Sequence, residues 1–210
     1  MIIAVDGPTA SGKGTIAKAL AVQFNLPLLD TGLLYRAVGR QVLVNGGDPD
    51  AGEDALAACC FPETLLTDPR LRSEESGGLA SRVSVHHAVR QALFDRQRQF
   101  ALRPGGAILD GRDIGTVIAP DADVKLFVTA SVEARARRRH AEMRQRGIDV
   151  SLAEIQTDIA RRDVRDMERA DAPLRPAKDA YILDTTAFDR DQAIEAAIEL
   201  VRDIANQKQA

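Results

Sequence analysis

Between an apolar run, Ile2-Ile3-Ala4-Val5, and a helical pattern that begins at Lys13 lies the segment Gly7-Pro8-Thr9-Ala10-Ser11-Gly12-Lys13-Gly14-Thr15. A strand, a glycine-rich turn and a helix in that order bring several backbone N–H groups to bear on one anion. The helix adds the positive end of its dipole and Lys13 a mobile cation. The loop reads as a cradle for nucleotide phosphates. It departs from the common Gly-x-x-x-x-Gly-Lys-[Ser/Thr] pattern in one respect. Gly14 stands in the hydroxyl position, and the hydroxyl arrives one residue later, at Thr15.

The pattern beyond the loop alternates. A strand over 2–5, a helix over 13–24, a strand over 26–29 and a helix over 33–44 are followed by three more apolar runs, 107–109, 124–128 and 181–183. Such alternation predicts an α/β fold with a five-stranded parallel sheet flanked by helices. The core is expected over 1–44 and 83–210. Residues 45–82, rich in Gly, Pro, Ser and acids, have the character of a small insert. From 131 to 170 the pattern is a helical hairpin broken near Gly147, with Ser151-x-x-Glu154 as a capping box that restarts it. Asp189-x-x-Gln192 opens a closing helix.

Composition narrows the class. With 210 residues, 45% hydrophobic and 28% charged, the chain is an ordinary globular protein with room for one substantial core. A net charge of −3, no Trp and 4% aromatics argue against a nucleic-acid coat or a base-stacking platform. Cys59 and Cys60 are adjacent, without zinc or redox spacing, and read as buried reduced thiols. His86 and His87 are also neighbours with no third ligand at metal-site spacing, and read as structural or surface residues. No segment has the form of a leader or a membrane span. A monomeric cytoplasmic enzyme with small-molecule substrates, without nucleic acid or membrane as partner, is expected.

The hairpin carries ten Arg against eight Asp and Glu over 131–170, in a chain that is acidic overall. Alone, such a run is a solvated, ion-paired helix face. Beside a phosphate cradle it suits two phosphorylated substrates held head to head, whose negative charge needs many cations. An Asn-Lys-x-Asp guanine reader is absent, which argues against a GTPase. A kinase acting on a nucleotide or metabolite remains, with a nucleotide-gated nucleic-acid-binding protein as the alternative.

Four blocks, the phosphate loop the first of them, make the chain resemble the bacterial cytidylate kinases, a branch of the nucleoside monophosphate kinases with a P-loop core. After Gly7–Thr15 come Leu29-Asp30-Thr31-Gly32-Leu33-Leu34-Tyr35-Arg36, then Asp110-Gly111-Arg112-Asp113-Ile114-Gly115-Thr116-Val117 with Pro120-Asp121-Ala122-Asp123. Arg161-Arg162-Asp163 with Arg165-Asp166, and Ala172-Pro173-Leu174, complete the set. The resemblance implies transfer of the γ-phosphoryl group of ATP to CMP or dCMP with Mg²⁺. It also implies a CMP-binding insert at 45–82 and a mobile helical lid at about 140–170. The insert is short, and the family's strand pair after Phe61 is expected compressed into 62–72.

Residue by residue, the resemblance places Lys13 and the backbone of Gly7, Pro8, Thr9, Ala10, Ser11, Gly12, Gly14 and Thr15 on the ATP phosphates, with Thr15 near Mg²⁺. Arg36, Arg112 and Arg169 match positions that clamp the CMP phosphate. Arg162 and Arg165 match arginines that stabilise charge on the moving phosphoryl group. Ser81, Arg90 and Asp113 match base-reading positions, and Asp166 a sugar contact. Thr31 lies in the same acceptor block, where Tyr35 either lines the pocket or fills the core. An Asp facing the cytosine N4 amine and an Arg facing N3 would accept cytosine and repel uracil. Asp110, ending an apolar strand, either orients Mg²⁺-bound water or caps the following turn.

Overall fold

The computed structural model describes residues 1–207. Five strands form one sheet: β1 (Ile2–Asp6), β2 (Leu28–Asp30), β3 (Ala107–Gly111), β4 (Val124–Thr129) and β5 (Tyr181–Asp184). Their order is β2-β3-β1-β4-β5, and every neighbouring pair is parallel. Eight α-helices accompany them among the described residues: α1 (Lys13–Phe24), α2 (Thr31–Val44), α3 (Gly52–Ala57), α4 (Glu74–Val83), α5 (His87–Ala101), α6 (Val132–Gln145), α7 (Leu152–Glu168) and α8 (Arg190–Gln207). The expected fold class is the observed one. None of these helices is long and apolar enough to cross a membrane.

Alternation along β1 divides the core. Ile3 and Val5 pack with Ile16 and Leu20 of α1, with Ile108, Leu126 and Val128, and with Ala197, Val201 and Ile204 of α8. Ala4 faces the other way and joins Ala101, Leu109, Ile114 and Ile118. Both faces of β1 are therefore buried, as a central parallel strand requires. The register aligns the carboxyl ends: Asp6 lies opposite Gly111 and Phe127, and Asp30 opposite Asp110. Ligands of open α/β sheets bind at this end, where strand order reverses.

The helix boundaries follow local chemistry. Ser131 Oγ accepts from the Ala134 N–H at the start of α6. At α7 both halves of the predicted capping box form, Glu154 N–H to Ser151 Oγ and Ser151 N–H to Glu154 Oε2. Asp189 Oδ1 accepts from Gln192 N–H at the entry to α8. Gly147, at φ 73°, breaks the hairpin where expected.

Residues 45–82 depart from expectation. Two 3₁₀ turns, Glu63–Thr67 and Pro69–Arg72, occupy the place of the strand pair, and a third, Ala58–Cys60, precedes them. Pro69 at the first turn position and Asp68 as its N-cap, accepting from Arg70 N–H, favour a turn over a ladder. The segment does not fold around a core of its own. Ala55, Ala58, Phe61 and Leu71 pack with Leu34, Val38 and Val42 of α2 and with Val89 and Leu93 of α5. Two smaller expectations also shift. Cys59 is half-buried and Cys60 exposed rather than buried, and β2 begins at Leu28, two residues later than expected.

Helices α2 and α4 touch closely because Gly39 has no side chain. A Cβ there would lie 2.6 Å from Leu79 Cβ. Gly39→Val is expected to lower unfolding stability by roughly 1–3 kcal/mol through overpacking, measured by denaturant titration.

Candidate active site

Loop Gly7–Thr15 leaves the carboxyl end of β1 under tight steric control. A Cβ at Gly7 would stand 2.0 Å from the Val128 carbonyl oxygen, so only glycine lets the chain turn there. Ala10 (φ 57°) and Gly12 (φ 90°) both take left-handed conformations, and Gly12 is the N-cap of α1. Lys13 is almost fully buried and its Nζ donates to Pro8 O at 3.1 Å. Burial pulls the Lys13 pKa below the usual lysine range, Arg112 pulls it further, and Asp110 and Asp30 oppose both. A phosphate at the loop would add to the opposite charge that Asp110 and Asp30 already place near Lys13.

The loop forms one wall of a cleft of about 730 Å³. Twelve Lys and Arg line it against six Asp and Glu. In an acidic chain, that excess marks a site for polyanions. The cleft gathers Thr9 to Thr15, Thr31, Tyr35, Arg36, Ser81, Arg90, Arg112, Asp113, Arg162, Asp166 and Arg169. Gly7, Pro8 and Arg165 do not line it. The first two shape the loop from behind, and Arg165 Nη1 donates to Ser81 Oγ at 2.8 Å.

On the side away from the loop, ion pairs fix the arginines. Arg112 Nε donates to Asp166 Oδ2 at 3.0 Å, joining the loop after β3 to α7. Asp113 pairs with Arg90 and lies 3.5 Å from Arg169 Nη2. Burial pushes the Asp113 carboxyl up while Arg90 and Arg169 pull it down. The Arg90 guanidinium sits over the Tyr35 ring, 5.7 Å from its centre, so Tyr35 both lines the cleft and packs in the α2 cluster. Arg36 Nη1 donates to the carbonyls of Leu71 and Ser73 at 2.8 and 2.9 Å. Burial, with Arg162 and Arg112 nearby, lowers the Arg36 pKa to about 10. Arg162 Nη2 donates to Gly77 O at 3.2 Å, and Nη1 lies 3.6 Å from Glu74.

Asp110 does not take the capping role. Its Oδ1 is buried without a hydrogen-bond partner, so it does not cap the next turn. Burial raises its pKa, and Lys13 opposes the rise. The capping falls to Asp6, whose carboxylate accepts from Ile114 N–H at 2.9 Å and Gly115 N–H at 2.8 Å. Sequence reading gave Asp6 no role. Its only signal is its place directly before Gly7, and the partners lie 108 and 109 residues away. Asp30 was also missed; it lines the cleft beside Lys13, at the end of β2. So was Arg138, one of three consecutive arginines, which donates to Thr185 O and Phe188 O at the end of the cleft near α8. His86 and His87 hold structural contacts, His86 Nε2 with Pro49 O and His87 Nδ1 with Asp171.

A family model described as cytidylate kinase matches residues 3–203 of the chain. The chain belongs to the cytidylate kinase family. It is a phosphotransferase that moves the γ-phosphoryl group of ATP to CMP or dCMP. A cytidylate kinase of Methylocella silvestris is 55% identical over 202 residues, covering 96% of this chain and 94% of the relative. One of Granulibacter bethesdensis is 56% identical over 204 residues, covering 96% and 97%. An uncharacterized protein from Eubacterium ventriosum shares the fold, with a TM-score of 0.56 at 16% identity over 98% of each chain. For a cytidylate kinase, the cleft's cation excess and its unpaired Asp110 oxygen sit beside the phosphate loop, where phosphoryl transfer needs charge neutralised.

The Asp6 carboxyl makes one property of the fold pH-dependent. Its burial outweighs the two amide donors and raises its pKa from 3.8 to about 7. Between those values the folded state holds a proton that the unfolded chain has released, so stability falls as pH rises across this window and levels off above it. The expected slope is on the order of 1 kcal/mol per pH unit. Denaturant titrations from pH 5 to 8 should show it, and Asp6→Asn should lessen it, Asp110, raised to about 6, adding to the lower part of the window.

Proposed function

We propose that the cleft holds ATP and CMP end to end, with the ATP phosphates in the Gly7–Thr15 cradle and the CMP base at Asp113. The observation that carries this reading is the charge of the cleft, with the phosphate loop on one wall and the ion-paired Asp113 on another. Lys13 and the loop N–H groups bind the β- and γ-phosphates. Arg36, Arg112 and Arg169 clamp the acceptor phosphate, whose planar recognition suits guanidinium groups. Arg162 stabilises the charge that spreads over the transferring group. Arg165 acts through Ser81, whose hydroxyl, having accepted from Arg165, keeps its own proton free to donate to the base.

No protein group has to remove a proton. The second pKa of a phosphate monoester is about 6, so the acceptor is already largely dianionic at neutral pH and catalysis rests on alignment and charge. The residues present suit Mg²⁺. Asp110 presents a buried carboxylate oxygen without a partner, and Thr15 a hydroxyl, both hard oxygen donors on the cleft wall. Among the described residues no cluster of three His, Cys, Asp or Glu could hold a metal. An ion carried in by nucleotide phosphates needs only one or two protein oxygens to steady it. When bound, Mg²⁺ neutralises phosphate charge. Asp166, paired with Arg112, is placed to accept from the sugar hydroxyls.

Base choice follows from Asp113. Its carboxylate accepts from the cytosine N4 amine and faces the uracil O4 oxygen with repulsion. Removing Lys13 as Lys13→Ala is expected to lower kcat about 100-fold or more, in line with loss of one preorganised charge donor, while CMP still binds. Single-turnover kinetics with a CMP titration checks both halves, and an unchanged kcat removes Lys13 from the transition state. Wild-type enzyme is expected to favour CMP over UMP in kcat/KM. Asp113→Ala should erode that preference by about 1–3 kcal/mol, the value of one good base contact. A coupled assay with both acceptors decides it.

A further inference from the structure

Asp6 ends the strand that leads into the phosphate loop, yet both of its oxygens are spent on the acceptor side of the cleft. Oδ1 accepts from Ile114 N–H and Oδ2 from Gly115 N–H, at 2.9 and 2.8 Å, with Asp6 only 5% exposed. These two amides are the first of the wide helical turn 114–118, whose N-cap is Asp113. The first N–H groups of a helical turn have no partner within it. An aspartate at the N-cap ordinarily folds its carboxylate back onto the second or third of them. Asp113 makes no such bond. Its carboxylate points instead to Arg90 and Arg169.

We propose that Asp6 is a positioning residue for base selection. By satisfying the amides of Ile114 and Gly115, it frees the Asp113 carboxylate to stay with Arg90 and face the base. The backbone geometry supports the division of labour. A Cβ on Gly115 would lie 3.4 Å from Asp6 Oδ2 and 3.2 Å from Lys125 Cδ, so glycine lets the turn settle onto the carboxylate. The pairing of Asp6 with Gly111 and with Phe127 holds the carboxylate beneath the turn from both neighbouring strands. Without Asp6, two buried donors need an acceptor, and the nearest one able to swing onto Gly115 N–H is Asp113 itself. Donor-loop and base-reading residues are thus linked by one carboxylate.

This inference rests on the reading of Asp113 as the base reader. Its test is the steady-state kinetics of Asp6→Ala, Asp6→Asn and Asp113→Ala with CMP, UMP and ATP varied in turn. Asp6→Ala is expected to raise the CMP KM and cut the CMP-over-UMP preference about tenfold, the scale of one lost base contact, with the ATP KM changed at most about threefold. Asp6→Asn, which keeps one acceptor oxygen for the turn, should lie between Asp6→Ala and the wild type. It carries the test if Asp6→Ala does not fold. An unchanged CMP-over-UMP ratio in a folded Asp6 variant, or a loss shared equally by CMP, UMP and ATP, overturns the inference. If Asp113→Ala itself leaves the ratio unchanged, it is the reading of Asp113 that fails.

Discussion

Crowding twelve cationic side chains into one cleft with six carboxylates sets the terms for everything around it. Arginines buried side by side repel one another, and Arg36, Arg162 and Arg169 all have pKa values pulled below the ordinary guanidinium range, burial being the largest cause in each. The fold holds them by giving each a fixed anchor on one edge. Arg36 is tied to carbonyls, Arg112 to Asp166, Arg90 to Asp113 and Arg169 to Ala172 O. An anchored guanidinium has remaining N–H groups with no freedom to search, so a phosphate bound as proposed would meet donors already aimed. That is the preorganisation on which charge-stabilised phosphoryl transfer depends.

The carboxylates divide by what holds them. Asp166 and Asp113 are engaged by arginines, and Asp6 by backbone amides, whereas Asp110 keeps a buried oxygen without a partner. A buried carboxylate left unpaired is costly. Such a group is found where a ligand completes it, and Asp110 lies next to Lys13 at the phosphate loop. The same physics explains why burial shifts Asp110 and Lys13 toward their neutral forms while their mutual attraction opposes both shifts.

What the sequence made legible was local. The phosphate loop, the Ser151 capping box, the break at Gly147 and the five strands each depend on residues within a few positions of one another. The arginines and aspartates of the cleft were legible only as blocks, because their partners come from distant segments. The Arg112–Asp166 pair spans 54 residues and the Asp6–Gly115 bond 109. The turns at 62–72 escaped because the strand pair was expected there from the resemblance alone, while the packing of Phe61 and Leu71 against α2 and α5 is not visible in the sequence. Periodicity also could not tell which face of the Ala58–Cys60 turn would be covered, which is why Cys60 is outside.

The arginine-rich hairpin is attached with unequal strength along its length. At its base Arg135, 4% exposed on its side chain, donates to Asp163 through two nitrogens, to Ala130 O and to Thr9 O of the phosphate loop. Removing one partner of a buried pair of this kind costs about 3–5 kcal/mol. Farther along, Arg139 and Arg162 meet Glu74 at the start of α4, where the carboxylate is one-third exposed and shared between them. The greater exposure of the Glu74 carboxylate makes these pairs weaker than the one at Arg135. The firmer attachment of the hairpin is therefore at Arg135, and the weaker one is at Glu74. Through Arg135, Asp163 and with it the neighbouring Arg162 are held in register with the Thr9 carbonyl of the loop.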